Sequence, residues 1–151
     1  MVSSSVPPAA GGDGPSSPPS TPCDVLVVDD NPNVNKALAL LLRRAGFTPI
    51  PCHRGADALD YLGRGNGDSL CAAVVDIHLP DISGLILAHK LRDRCGPSTP
   101  IIVVSGDTSM ETINSLAHIG ATYFFSKPVH AAKLVERLKE LTLQKDDKVT
   151  R

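Results

Sequence analysis

Three aspartates and a lysine, each placed directly after a short apolar segment, are the residues of this chain best suited to chemistry. They are Asp29, Asp30, Asp76 and Lys127, and a fourth apolar segment ends in Ser105. Short apolar runs bounded by polar residues are typical of buried parallel strands, and the carboxyl ends of such strands share one edge of a sheet. The pattern therefore predicts that three carboxylates, a hydroxyl and an ammonium group converge at one edge, where they can hold a divalent metal and a phosphoryl group.

The adjacent carboxylates of Asp29 and Asp30 repel each other unless a cation or exposure to solvent compensates. Taken alone, the pair could supply a helix cap and a solvent-facing side chain. With Asp76 at the end of the neighbouring strand, a shared site of oxygen ligands is favoured. Because Mg²⁺ binds through a few carboxylates and retains waters, and because no cysteines cluster here to favour a softer metal, we predict Mg²⁺ as the cofactor.

Asp76 is the predicted nucleophile, because a carboxylate can attack a phosphoryl group and form an aspartyl phosphate. In phosphoryl transfer the protein mainly positions groups and neutralises charge on the equatorial oxygens. Lys127 would supply a point charge to one oxygen, and the hydroxyl of Ser105 would donate a hydrogen bond to another. A lone serine after a strand is usually a cap and a lone lysine is usually solvated, so the prediction depends on the ordered set. The Lys127-Pro128 bond is a candidate for the cis form, which would direct the lysine over the sheet edge.

The two ends of the chain differ from the regular pattern between them. Residues 1–22 include fifteen Pro, Ser or Gly residues and no Lys or Arg, a composition that predicts a disordered tail. Residues 23–143 form the predicted domain. The charged residues 144–151 are predicted to fray.

Within residues 23–143, five short apolar runs alternate with helical patterns, which predicts a (βα)₅ fold. Pro49 and Pro51 remove ladder donors from the second strand and favour an edge position for it. Right-handed crossovers then give an α/β, doubly wound, three-layer sandwich with a parallel sheet of order 2-1-3-4-5, the flavodoxin-like arrangement. The predicted strands are about 23–28, 47–52, 71–76, 100–105 and 121–126, and the predicted helices are about 32–45, 55–63, 84–94, 109–118 and 129–143.

The composition narrows the choice of partners and compartment. The chain has 151 residues and a formal net charge of −1, which gives no support for a nucleic-acid surface or an anionic membrane surface. There is no apolar stretch of membrane-spanning length and no secretory signal, so a cytoplasmic location is expected. Without CxxC spacing, all four cysteines are interpreted as reduced thiols, namely Cys23, Cys52, Cys71 and Cys95.

The chain resembles the response-regulator receiver domain of two-component signalling, in its chemotaxis-regulator-like form. The resemblance covers about residues 23–143, and its motifs are VLVVDDN (25–31), VVDIHLPDISG (74–84), IIVVSGD (101–107) and GATYFFSKPV (120–129).

This resemblance implies that Asp76 is the phosphoacceptor for a histidine kinase or a histidine phosphotransfer protein. It also implies that the main-chain carbonyl of His78 completes a Mg²⁺ site made by the three aspartates. Ser105 would be the switch hydroxyl, Lys127 the phosphate-binding lysine and Phe124 the switch aromatic. Such a domain is a phosphoacceptor switch with self-phosphorylation and self-dephosphorylation, not a turnover enzyme, and it signals by repacking the helix 4, strand 5 and helix 5 face toward a downstream protein.

Two residues near the predicted phosphorylation site depart from common family choices. His78 lies two positions after Asp76, and Asp107 lies two after Ser105, so both are expected to influence phosphoryl hydrolysis. The side chain of His78 is expected to face solvent rather than to act as a base or metal ligand. Phe124 stands where a tyrosine is frequent, so the switch would depend on packing without a hydrogen bond.

Two other functions fit the pattern less well. A haloacid dehalogenase-like phosphatase also forms an aspartyl phosphate, but it requires a second acid at the position of His78 and a cap domain. A flavodoxin-like cofactor binder requires a phosphate loop after the first strand, where Asp29 and Asp30 would repel a phosphate. The chain is therefore expected to be a stand-alone receiver, or a receiver from a larger regulator or hybrid kinase, that does not bind nucleic acid directly.

Overall fold

The computed structural model of the protein describes residues 23–66 and 69–150. The prediction of a disordered tail over residues 1–22 lies outside the described residues. The strands are β1 (Asp24–Val28), β2 (Thr48–Cys52), β3 (Leu70–Asp76), β4 (Ile101–Ser105) and β5 (Tyr123–Ser126). The helices are α1 (Pro32–Arg44), α2 (Gly55–Tyr61), α3 (Gly84–Cys95), α4 (Met110–Ile119) and α5 (Ala131–Thr150).

The five strands form one parallel sheet in the order β2-β1-β3-β4-β5, which confirms the predicted (βα)₅ fold and its strand order. As predicted, the proline-containing β2 lies at an edge of the sheet. Because β1 and β3 are neighbours near the centre of the sheet, the residues that follow them are brought together. Within the described ranges, no helix is both long and apolar enough to span a membrane.

Two apolar cores cover the two faces of the sheet. One face of the central strands packs with α2, α3 and α4, and its buried members include Leu26, Val75 and Leu87. The other face packs with α1 and α5, through residues such as Leu38 and Leu134. Both faces of β1, β3 and β4 are therefore buried, which explains their nearly continuous apolar sequences.

The start of α1 follows from its local sequence. The side-chain oxygen of Asn31 accepts hydrogen bonds from the N–H groups of Asn33 and Val34, and Pro32 occupies the first turn. Both features are typical of helix N-termini. This cap fixes the direction in which the chain leaves the acidic pair after β1.

Two helix boundaries differ from the prediction. The helix α2 ends at Tyr61 and continues into a π-helical turn, Leu62–Asn66, in which Gly65 adopts a φ of 86° that favours glycine. The helix α5 begins at Ala131 and runs to Thr150, beyond the expected end at 143. No Gly or Pro follows position 143 to end the helix. The fraying of residues 144–151 stays a prediction.

The prediction that all four cysteines are reduced thiols is wrong for two of them. Cys23 and Cys71 form a disulfide across a sequence separation of 48 residues, with 5.6 Å between their Cα atoms, while Cys52 and Cys95 are not disulfide-bonded. The pairing arises because Cys23 directly precedes β1 and Cys71 lies at the start of the neighbouring β3. Spacing along the sequence could not show this contact, since the order of the strands creates it.

Candidate functional site

The carboxyl edge of the sheet, defined here by Asp29, Asp30, Asp76, Ser105 and Lys127, holds every polar side chain predicted to act together. The carboxylates of Asp29, Asp30 and Asp76 each place an oxygen within 4.8 Å of the other two. Asp29 and Asp76 are buried, with 3% and 1% of their surface exposed, whereas Asp30 is exposed. This set of hard oxygen donors, open to solvent on one side, fits the coordination preferences of Mg²⁺.

Lys127 provides the positive charge of this edge. Its Nζ atom lies 2.9 Å from Oδ2 of Asp76 and 3.8 Å from Oδ2 of Asp29, so one ammonium contacts both buried carboxylates. The Lys127-Pro128 peptide bond is cis, as the sequence permitted. With three carboxylates near one lysine, the edge carries an excess of negative charge in the absence of a cation.

The pKa values of two groups respond to this charge imbalance. Burial raises the pKa of Asp29, and the charges of Asp76 and Asp30 add to that rise, against the opposing effects of the Asn31 N–H group and Lys127. Burial opposes the charge of Lys127, but the hydrogen bond to Asp76 and the surrounding carboxylates outweigh it and raise the pKa of the lysine. Asp29 is therefore poorly compensated by the protein alone, as expected of a carboxylate that binds a cation.

Ser105 lies at the end of β4 and is fully buried. Its Oγ atom accepts a hydrogen bond of 2.9 Å from the N–H of Asp107, which leaves the hydroxyl hydrogen available for another acceptor. The N–H of Lys127 donates to the carbonyl oxygen of Ser105 over 2.9 Å, so the backbone ties the serine to the lysine. The ends of β4 and β5 thus hold the two predicted phosphoryl-binding groups on the same edge.

The loop after β3 passes close to Asp76 because of a glycine. The N–H of His78 donates to Oδ1 of Asp76 over 3.2 Å, and the His78 side chain is exposed. The N–H of Gly84 donates to the carbonyl oxygen of Ile77 over 2.7 Å. A Cβ atom at Gly84 would collide with the main-chain carbonyl of Asp76, so only glycine allows this close turn.

The predicted switch aromatic lies on the opposite side of β5 from the α5 core. Phe124 is half-buried and packs against the cluster that includes Leu116 of α4. Its β4 partner in the sheet register is Val103. The structure therefore places Phe124 on the strand that leads into Lys127, packed against the cluster that includes the helix after Ser105, while its role in switching stays a prediction.

Asn35 of α1 belongs to the surroundings of the site but was not predicted. Its side chain is buried, and Nδ2 donates to the carbonyl oxygens of Asp29, Cys52 and Val27 over 3.1, 3.0 and 3.4 Å. Asn35 lies on the same helix face as Leu38 and Leu42, at the i, i+3 and i+7 positions. A polar residue on an apolar helix face was the available signal, since such a residue must find buried acceptors.

Comparison with known proteins shows the family to which a chain with this fold and this carboxyl edge belongs. The family model for the response regulator receiver domain matches residues 25–139. The chain belongs to the response regulator receiver domain family.

Three curated relatives show the settings in which similar sequences occur. The chain is 35% identical over 123 residues to the sensory/regulatory protein RpfC of Xanthomonas campestris, covering 79% of the chain and 16% of that protein. It is 32% identical over 116 residues to the regulatory protein VanR of Enterococcus faecium, covering 76% and 48%. It is 32% identical over 120 residues to the hybrid signal transduction histidine kinase L of Dictyostelium discoideum, covering 77% and 7%. The chain thus spans less than half the length of each of these relatives.

Solved structures support the same fold. A CheY-like response regulator receiver domain protein from Methanospirillum hungatei superposes with a TM-score of 0.74 at 24% identity, covering 85% of this chain and 99% of that one. The chemotaxis response regulator CheY4 of Vibrio cholerae gives a TM-score of 0.70 at 24% identity, covering 80% and 99%. At these identities the likeness concerns the fold alone.

Proposed function

We propose that Asp76 accepts a phosphoryl group from a histidine kinase or a histidine phosphotransfer protein. The observation that carries this proposal is the buried Asp76 carboxylate at a strand end, with Lys127 Nζ at 2.9 Å and two further carboxylates within 4.8 Å. A buried carboxylate with a lysine on one side and an oxygen-rich cation site on the other has the surroundings that an acyl phosphate requires.

The transfer begins when an Asp76 carboxylate oxygen attacks the phosphorus of a phosphohistidine. A new P–O bond forms, the P–N bond breaks, and the donor imidazole leaves as the neutral ring after it takes up a proton. Lys127, which bonds the same carboxylate in the unphosphorylated state, would contact a phosphoryl oxygen of the product. The hydroxyl of Ser105 would donate to another, since its hydrogen is not used by the Asp107 contact.

Asp29, Asp30 and Asp76 would hold Mg²⁺, with the main-chain carbonyl of His78 as the fourth protein ligand. A bound Mg²⁺ supplies a divalent positive charge that offsets the charge of the phosphoryl oxygens. The raised pKa of Asp29 supports this assignment, because burial beside two other carboxylates makes its charge costly without a cation. The protein is a phosphoacceptor switch in this account, with self-phosphorylation and self-dephosphorylation but no turnover of a separate substrate.

The output surface is proposed to be the α4-β5-α5 face. Large apolar side chains are exposed on α4 and β5, namely Met110, Ile113 and Tyr123, at 69%, 39% and 39% of their surface. Movement of Ser105 toward the phosphoryl group would vacate space beside Phe124, which packs against α4. A downstream protein, rather than a nucleic acid, would bind the repacked face. We place the exchange in the cytoplasm, where such kinases phosphorylate their receivers.

Acetyl phosphate labelling tests phosphoryl acceptance directly. With Mg²⁺, the protein should gain one base-labile phosphoryl group, and the Asp76→Asn variant should gain none. The exposed Asp93→Asn substitution on α3 is the matched control and should label like the wild type. Labelling of Asp76→Asn at the wild-type rate and stoichiometry would refute the assignment.

Beryllofluoride, a phosphoryl mimic, tests the proposed output. Addition with Mg²⁺ should shift backbone NMR signals in α4 and β5 as well as around Asp76. The Phe124→Leu variant should keep the shifts around Asp76 and lose most of those in α4. Shifts confined to the Asp76 pocket of the wild type would contradict the output mechanism.

A further inference from the structure

The Cys23–Cys71 pair lies at the amino edge of the sheet, defined here by Cys23, Asp24, Tyr61, Ser69 and Cys71. Cys23 comes directly before β1, and Cys71 is the second residue of β3. Their Cα atoms are 5.6 Å apart, which is within the usual distance for bonded cysteines. This edge is opposite the one that carries Asp76, so the pair is separate from the proposed phosphorylation site.

A β-bulge brings the two side chains to the same face of the sheet. Along the β1–β3 ladder, Asp24 pairs with Leu70, but the next residue, Val25, pairs with Ala72, so Cys71 is the extra residue. Residues 70, 73 and 75 face the α3 side, whereas both Cys71 and Ala72 face the α1 and α5 side. Counted back from residues 72–75, strict alternation would have placed Cys71 on the α3 side, away from Cys23, and a bulge redirects a side chain in this way.

Hydrogen bonds that do not involve the sulfur atoms hold the backbone around the two cysteines. The carbonyl oxygen of Cys23 accepts a hydrogen bond of 2.8 Å from the N–H of Thr48. Next to it, the carboxylate of Asp24 accepts hydrogen bonds from the hydroxyl groups of Tyr61 and Ser69, over 3.0 and 3.3 Å. Folding therefore presents the two sulfur atoms to each other without a further rearrangement of the strands.

Accessibility separates this pair from Cys52, whereas Cys95 is half-buried as well. Cys23 and Cys71 are both half-buried, so a small oxidant or reductant can reach them. Cys52 is buried, and burial together with the charge of Asp57 raises its pKa to about 11, which keeps it protonated at neutral pH. Because the thiolate is the reactive form, Cys52 is a poor competitor for oxidation.

We propose that Cys23 and Cys71 form a reversible redox modification site, a dithiol under reducing conditions that becomes a disulfide on reaction with a hydroperoxide. The reversibility rests on the cytoplasmic location given under the proposed function, since disulfides in that compartment are usually transient and redox-sensing. Phosphoryl acceptance at the other edge does not depend on it.

The reaction balances as a two-electron oxidation. The thiolate of one cysteine attacks the peroxide oxygen and the O–O bond breaks, which gives a sulfenic acid and an alkoxide or hydroxide that takes up the proton released by the thiol to form an alcohol or water. The second thiol then attacks the sulfenic sulfur, the S–S bond forms, and water leaves with the thiol proton. Two molecules of glutathione reverse the change through a mixed disulfide, and they are themselves oxidised to glutathione disulfide.

The consequence for the domain is a change in stability that depends on redox state. The bond joins two residues with a sequence separation of 48 and closes a loop that contains β1, α1, β2 and α2. A disulfide across a loop of this length restricts the unfolded chain far more than the folded one, whose strands already hold the sulfurs together. Oxidation would therefore make the amino edge resist opening and leave the carboxyl edge unchanged.

Equilibration in glutathione mixtures tests the proposal. The purified chain is incubated in a series from fully reduced to fully oxidised glutathione, quenched with acid, alkylated and digested. A peptide linked through Cys23 and Cys71 should appear progressively, with the same midpoint approached from either direction. The oxidised form should unfold at a temperature roughly 10 °C above that of the reduced form.

The variants Cys23→Ser and Cys71→Ser should each lose the linked peptide and the redox dependence of unfolding, whereas Cys52→Ser should retain both. If one variant fails to fold, the other and the linked-peptide measurement still decide the question. Absence of the linked peptide at every ratio would overturn the proposal. So would a bond that persists in fully reduced glutathione, because it would then be permanent. None of these measurements depends on phosphorylation.

Discussion

The two edges of the sheet differ in how far the protein itself compensates their charged and polar groups. At the carboxyl edge, three carboxylates face a single lysine, and two of those carboxylates are buried. At the amino edge, the carboxylate of Asp24 accepts hydrogen bonds from Tyr61 and Ser69. The neighbouring cysteines there are bonded to each other. The carboxyl edge therefore has more negative than positive charge, whereas at the amino edge the carboxylate of Asp24 accepts hydrogen bonds from neighbouring side chains.

This difference shows where the fold accepts a cost in stability. Like charges held close together destabilise a domain unless a cation joins them, so we expect the carboxyl edge to lower stability in the absence of Mg²⁺. The internally bonded edge can supply the stability that the acidic edge lacks. We expect substitutions at the carboxyl edge to change function more than stability, and substitutions at the amino edge to do the reverse.

After Asp76 itself, Lys127 should give the largest effect on function. Lys127→Ala removes the ammonium that contacts Asp76 and Asp29, and with it a point charge for the phosphoryl oxygens. The rate of labelling by acetyl phosphate should fall about 100-fold, as measured by intact mass over time. The exposed Lys90→Ala substitution on α3 is the control and should leave the rate unchanged. An equal fall in both variants would mean that net charge, rather than position, sets the rate.

Substitution of Asp30 should weaken Mg²⁺ binding without lowering the stability of the fold. Its side chain is exposed, so Asp30→Ala should leave the unfolding temperature nearly unchanged or slightly raised, because a repelling carboxylate is removed. Mg²⁺ binding, followed by NMR titration, should fall below detection, and labelling should fall with it. Undiminished Mg²⁺ affinity in this variant would contradict the metal-binding role.

Asn35 tests how far the supporting shell of the carboxyl edge contributes to stability. Asn35→Ala leaves the buried carbonyl oxygens of Asp29 and Cys52 without their side-chain donor. The free energy of unfolding in urea should fall by about 1–3 kcal/mol. The exposed Asn33→Ala substitution in the same helix should change it by less than about 0.5 kcal/mol. Equal effects would show that helix propensity, and not the buried hydrogen bonds, explains the loss.

The smallest effect should come from the amino edge. Tyr61→Phe removes one hydroxyl that donates to Asp24 and should lower the free energy of unfolding by about 1 kcal/mol. Labelling of Asp76 by acetyl phosphate should stay at the wild-type rate. A clear change in that rate would contradict the expectation that the amino edge affects stability and not phosphoryl acceptance.

Most of the carboxyl edge could be predicted from the sequence because its geometry follows from strand ends. Each of Asp29, Asp76 and Ser105 ends or follows a short apolar run, and parallel pairing brings such positions together. The strand order followed from Pro49 and Pro51 in β2. These are features of the local sequence, and the parallel pairing of the strands determines where they lie in the structure.

The amino edge could not be predicted in the same way. Cys71 reaches Cys23 because a single residue is added to the β1–β3 ladder, and nothing in the local sequence marks that bulge. At the carboxyl edge, the contacts of Asn35 could not be predicted either, because they depend on where α1 lies over the ends of β1 and β2. Both features depend on how elements pack together, which the periodicity of a single segment does not show.

Borohydride mapping of the acyl phosphate tests the central claim most directly. The protein is phosphorylated with acetyl phosphate and Mg²⁺, and borohydride then reduces any aspartyl phosphate to homoserine, whose position is read from peptide masses. We predict homoserine at position 76, and none there when Mg²⁺ is chelated beforehand. Homoserine at Asp29, Asp30 or Asp24 instead, or equal labelling of Asp76 without Mg²⁺, would contradict the assignment of the carboxyl edge as a metal-assisted phosphoryl site.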